Sequence, residues 1–243
     1  IAVYDFTNYG TADTLNKLVS KRIHKDELHK NIKRNVGGLV KDIQEMQKLV
    51  STCRSKKIYL GTRQKAMKGK ADKLLRNAEM LPDPFVNIIE KLSNKLDYMN
   101  LNEYSNLPSD IQYGIGAVQW CIEHNLIQQA YTILEETLIS YFCKLIDRDI
   151  NNIENRKIAS QAYKTFILSD TNQWHEPSKS NINLVKELHR KTGEGLLKIF
   201  NEIAQDRNDI NHAGVTSDFE PAYFKSKIEN LFFTTKSYLY IET

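Results

Sequence analysis

The chain has 243 residues, of which 41% are hydrophobic and 26% charged, and its formal net charge is +4. A chain of this size and composition can bury one substantial core or two smaller ones without covalent staples. It contains no run of about 18 apolar residues, which argues against a membrane-spanning helix, and its first ten residues lack the charged-then-apolar form of a secretory signal. The three cysteines, Cys53, Cys121 and Cys143, are odd in number and form no C-x-x-C pair, which argues against a disulfide framework or a zinc site. A reducing, cytoplasmic setting is expected. Because the first residue is Ile1 rather than Met, the expectation is a piece of a longer protein with a domain upstream.

Helical periodicity dominates, and no strand-type alternation stands out. Ala2, Val3, Phe6 and Tyr9, followed by Leu15, Leu18 and Val19, predict an opening helical hairpin, with His24 and His29 as surface residues behind it. Leu39, Ile43, Met46, Val50 and Cys53 recur at three- and four-residue steps and predict an amphipathic helix over about 36–54. The Lys-rich stretch around Gly61 and Gly69 reads as a loop. Pro82 and Pro84 break the apolar series that follows, and another helix is expected over 85–99 with Ile88, Ile89, Leu92 and Leu96 on one face. The turn-rich segment ending at Asp110 is the candidate domain boundary, giving an N-terminal helical region over 1–108 and a C-terminal helical domain over 109–243.

In the second region, Ser109 or Asp110 can cap a helix that His124 and Asn125 end. From Leu126 onward, Ala130, Ile133, Leu134, Leu138, Tyr141, Phe142 and Leu145 form the most regular apolar stripe in the chain, with Glu135 and Glu136 off it as solvated acids. A short helix is expected over 158–168, then a polar loop in which Trp174 anchors the chain. Ile182 to Ile203 predicts a long helix, bent by Gly193 and Gly195, that reaches Arg207. Pro221 opens the last helix, with Phe224, Ile228, Leu231 and Phe232 inside.

Charge is unevenly spread: residues 1–100 carry 20 basic and 11 acidic side chains, residues 101–243 carry 14 and 19. The excess centres on Arg54, Lys56, Lys57, Arg63 and Lys65 and continues to Arg76. It is either the electrostatic footprint of an RNA partner or a solvated lysine-rich surface.

Asp206 to Gly214 reads D-R-N-D-I-N-H-A-G. Arg207 supplies a cation that never deprotonates near neutral pH, and His212 an imidazole that titrates there. RNA carries its own nucleophile, the 2′-hydroxyl. An enzyme need only take that proton, stabilise charge on the phosphorane and protonate the leaving 5′-oxygen. His212 can be the base or the acid, Arg207 the phosphate clamp, and Asn208 can orient either. On a regular helix, five residues turn through roughly 500°, which leaves Arg207 and His212 about 140° apart. Either the helix breaks between them, or two copies share the pairs across a two-fold axis.

Long helices, a polar linker and R-N-D-I-N-H-A-G before a final helix together resemble a HEPN domain, an all-α helical bundle. Ala117 to Glu136, A-V-Q-W-C-I-E-H-N-L-I-Q-Q-A-Y-T-I-L-E-E, resembles the segment before the HEPN core in the CRISPR-associated ribonucleases that join a CARF sensor to a HEPN domain. The resemblance implies a metal-independent endoribonuclease of antiviral defence that cuts single-stranded RNA. It implies Arg207, Asn208 and His212 as its catalytic residues, a homodimer through the HEPN domain, and no cofactor. Its cyclic oligoadenylate activator would bind a CARF domain, and no Rossmann-type unit for one occurs in this sequence. Two other readings stand beside it: a catalytically silent helical module that dimerises and binds RNA or protein, and the toxin of a toxin–antitoxin pair.

Overall fold

Helix-period patterning becomes ten α-helices in the computed structural model, which describes residues 17, 30–77, 79, 83–96, 106–212 and 218–241. No strand occurs among the described residues, and the expected all-α class is what is found. The predicted opening hairpin, His24 and His29 lie outside the described residues. The chain divides into two compact units between Gln129 and Ala130.

In the first unit, α1 (Lys30–Ser51), α2 (Ser55–Tyr59), α3 (Thr62–Leu75), α4 (Asp83–Leu96) and α5 (Ser109–Glu123) follow in order. Val36, Leu39, Val40, Ile43, Met46 and Val50 of α1 are all buried, as the periodicity requires. They pack with α3, which brings Met67, Ala71 and Leu74, and α3 packs with α4, which brings Ile89, Leu92 and Leu96. The stretch read as a loop is helical on both sides of Gly61. Lys, Gln, Ala, Met and Leu are good helix formers, and Lys56, Lys57, Lys65 and Lys73 lie on the solvent side of α2 and α3. Gly61 makes the corner, with φ +63°, and a Cβ there would lie 2.0 Å from the Tyr113 ring. Helix α2 packs on α5, so the segment Ser109–Glu123, placed by the sequence with the C-terminal domain, belongs to the first unit. Pro84 sits in the first turn of α4, where its missing N–H costs nothing.

The second unit holds the rest of α6 (Ile127–Leu145), then α7 (Ile153–Ser160), α8 (Ala162–Ile167), two short 3-10 turns, α9 (Ile182–Asn211) and α10 (Pro221–Ile241). One helix was expected over 158–168, and two occur, parted at Gln161. Ala130, Ile133, Leu134, Leu138 and Phe142 of α6 are buried, as are Leu196, Leu197, Phe200 and Ile203 of α9. The Phe142 and Phe200 rings meet edge-on at 5.2 Å. A smaller cluster joins Ile158, Trp174 and Val185, and Trp174 anchors its loop by donating from Nε1 to the Leu168 carbonyl at 2.7 Å. Helix α9 bends at Gly193, whose φ of +69° and ψ of 163° are not helical. Cys121 and Cys143 are buried free thiols, and burial pushes Cys143 up to about 11. No described helix is long and apolar enough to cross a membrane.

Candidate functional site

Helix α9 runs unbroken from its bend at Gly193 to Asn211, with His212 as its C-terminal cap. The His212 amide donates to the Asn208 carbonyl at 2.9 Å and the Asp209 carbonyl at 3.1 Å. The helix therefore does not break between Arg207 and Asn211, which removes the first of the two arrangements that could bring both side chains to one phosphate. Asn208 and His212 are exposed, and Arg207 is partly so. Among the described residues, no hydrogen bond or ion pair joins Arg207 to His212.

What Arg207 meets is Glu135. Its Nη2 donates to Oε1 at 3.2 Å, and its Nε lies 2.7 Å from Oε2, within ion-pairing reach although that N–H is not aimed at the oxygen. The Arg207 side chain is 29% exposed and that of Glu135 only 10%. Nη1 has no partner among the described residues. The expectation that Glu135 is a solvated acid is thus corrected. It lies four residues after buried Tyr131 and three before buried Leu138, so it shares a face with them. That second stripe on α6 was the signal available in the sequence. Burial pushes the Glu135 carboxyl above its usual range, against the downward pull of the guanidinium. Glu136, read the same way, pairs with Arg156 at partial exposure.

One residue earlier, Asp206 is buried. The Tyr131 hydroxyl has one proton and two acceptors within reach, Oδ2 of Asp206 at 3.0 Å and the Phe224 carbonyl at 3.2 Å. Burial raises the Asp206 carboxyl, while the Tyr131 hydrogen bond and the Lys227 ammonium pull it down. Tyr131 itself is raised, by burial and then by the Asp206 charge. This network ties α6, the end of α9 and the start of α10 together beside the motif.

The basic stretch sorts into two classes. Arg63 donates to Asp42 of α1 at 2.9 Å, and Lys70 pairs with the same carboxylate. Lys68 bridges Asp72 and Ser93, each at 3.0 Å. These cations hold α1, α3 and α4 together, and Asp42 is an acid that adjacency in sequence could not supply. Arg54, Lys56 and Lys57 are exposed around α2 without partners among the described residues. Lys65 is exposed, with its ammonium 5.4 Å from the centre of the Tyr113 ring. Of the five residues proposed for RNA, Arg63 is thus committed to a structural ion pair.

In comparisons with known proteins, no family model matches the chain, and neither a curated protein nor a solved structure matches it. The chemistry therefore rests on the residues. Among those described, no group of three or more His, Cys, Asp or Glu side chains is placed to hold a metal ion. The end of α9 offers a partly exposed cation whose Nη1 has no partner among the described residues, an exposed amide and an exposed imidazole, and two carboxylates raised by burial.

Proposed function

We propose that the chain is a metal-independent endoribonuclease that cuts single-stranded RNA, in the antiviral, CRISPR-linked setting implied by the HEPN resemblance of R-N-D-I-N-H-A-G. The observation that carries this reading is the presentation of Arg207. Glu135 grips one edge of its guanidinium from a buried position, and Nη1 has no partner among the described residues, on the same last turns of α9 as exposed Asn208 and His212. A guanidinium fixed in this way loses little freedom when it takes a phosphate oxygen.

In the reaction, the 2′-oxygen forms a bond to phosphorus while the bond from phosphorus to the 5′-oxygen breaks. One His212 imidazole takes the 2′-hydroxyl proton, and the leaving 5′-oxygen takes one from the imidazolium of the second copy's His212, or from water where that imidazole is missing. The products are a 2′,3′-cyclic phosphate and a 5′-hydroxyl. Arg207 stabilises charge on the equatorial oxygens, and Asn208 orients the phosphate. Because α9 keeps Arg207 and His212 about 140° apart, the reading places one composite site between two copies of the chain.

A second reading is favoured by the same ion pair: with Glu135 partly neutralising Arg207, the end of α9 serves a silent dimerising module that binds RNA or protein. Cleavage of labelled single-stranded RNA in EDTA decides. The wild type is expected to cut RNA to cyclic-phosphate ends and to leave matched DNA intact, with His212→Ala slower by about 10²–10⁴-fold. Equal rates for the two proteins would remove His212 from the chemistry, and a wild type that cuts nothing would favour the silent module.

A further inference from the structure

An aromatic pair, Phe219 exposed and Tyr223 half-buried, stands at the start of the described residues 218–241, which follow the motif. Phe219 stacks on Tyr223 with ring centres 4.2 Å apart and planes 14° from parallel. The Phe224 ring stands edge-on to both, at 6.2 Å and 5.3 Å. Tyr131 meets Phe224 edge-on from α6 and carries the hydroxyl that reaches Asp206. Phe219 is the outermost ring of this stack and remains 53% exposed. A single exposed apolar side chain needs no explanation. This one lies flat on Tyr223 and against the edge of Phe224, which Tyr131 backs from α6, two residues before α10 begins.

We propose that Phe219, backed by Tyr223, is a stacking platform for one base of the single-stranded RNA substrate, beside the composite site. This rests on the ribonuclease reading for its choice of ligand. The local charge decides which part of a nucleotide fits. Asp206 and Asp209 both act on the Tyr223 hydroxyl, and Glu202 stands nearby, paired with Lys227. Carboxylates repel a phosphate but leave the neutral face of a base free to stack. Every base has such a face, so the platform adds affinity and position without strong sequence preference. Its rigidity keeps the ordering cost of binding low. Arg207, whose Nη1 has no partner among the described residues, is left to take the phosphate.

The test measures binding of a fluorescent single-stranded RNA by anisotropy, in a His212→Ala background so that the strand persists. Phe219→Ala is expected to weaken binding about 5- to 150-fold, the effect of deleting one base–aromatic stack, and Phe219→Trp to restore it. With an oligonucleotide series carrying one abasic position at a time, one position should abolish the difference between the parent protein and its Phe219→Ala variant. Unchanged affinity in Phe219→Ala overturns the platform. So does a weakened dimer in sedimentation with the loss of RNA binding explained by it, since the ring would then be a contact between copies. The two readings fail separately: RNA cleavage with a Phe219-independent affinity removes the platform alone, whereas Phe219-dependent binding without any cleavage removes the ribonuclease alone.

Discussion

At the scale of single residues, buried carboxylates set the chemistry at the end of α9. Asp206 has its carboxyl raised chiefly by burial, so the fold favours its protonated form more than water does. The sign of the consequence follows from proton linkage. A group whose folded value lies above its unfolded value, here near 3.8, contributes stability below the unfolded value and loses it as pH rises through the folded one. Asp206→Asn removes the charge and keeps an oxygen for the Tyr131 hydroxyl. The melting temperature of this variant relative to wild type is therefore expected to be more favourable at pH 7 than at pH 4. An equal difference at both pH values would mean that Asp206 gains in charged interactions what it loses in desolvation. Glu135 is raised for the same first cause, but removing its charge also releases Arg207, so only Asp206 isolates the burial effect.

At the scale of elements, apolar periodicity made α1, α4, α5, α6, α9 and α10 legible, because apolar residues recur every three or four positions in each, although α5 and α6 bury more than that stripe. What it could not show came from three causes. Helices α2 and α3 expose a lysine-rich side, with Gly61 between them and Gly69 inside α3, so the composition of the stretch imitates a loop. The pairing of Asp42 with Arg63 and Lys70 joins residues far apart in the chain. Glu135 carries a charge on a face that its neighbours Tyr131 and Leu138 bury, and a charged residue beside an apolar stripe is usually solvated. The corner between α2 and α3 supplies the matching test. Gly61 holds a left-handed φ, and a Cβ would overlap the Tyr113 ring, which α5 fixes in place. Gly61→Ala should lower stability by about 2 kcal/mol or more, from backbone strain plus overpacking. Gly69→Ala is the control: it lies within α3 with open space around its Cβ position, and it should raise stability by a few tenths up to about 1 kcal/mol. Chemical denaturation of both variants measures the contrast, and similar losses in the two would remove the role given to Gly61.

At the scale of the whole molecule, the question is whether one copy of the chain holds a complete site. Residues 1–100 carry the basic excess and residues 101–243 the acidic one. Within one copy, α9 stays helical through Asn211, so Arg207 and His212 leave it about 140° apart and cannot close on one phosphate. In the proposed two-fold dimer, each copy would supply an arginine and a histidine to a shared cleft. Mixing the inactive variants Arg207→Ala and His212→Ala tests this directly. If the copies exchange freely, about half of the dimers are mixed, and each mixed cleft holds one intact Arg207 and one intact His212. RNA cleavage in EDTA should therefore reappear on mixing, at a rate well above either variant alone. A site contained in one chain gives no such recovery, because neither variant carries both groups. Absence of recovery counts against the composite cleft only where sedimentation of the mixture shows dimers, and recovery without any dimer would exclude it.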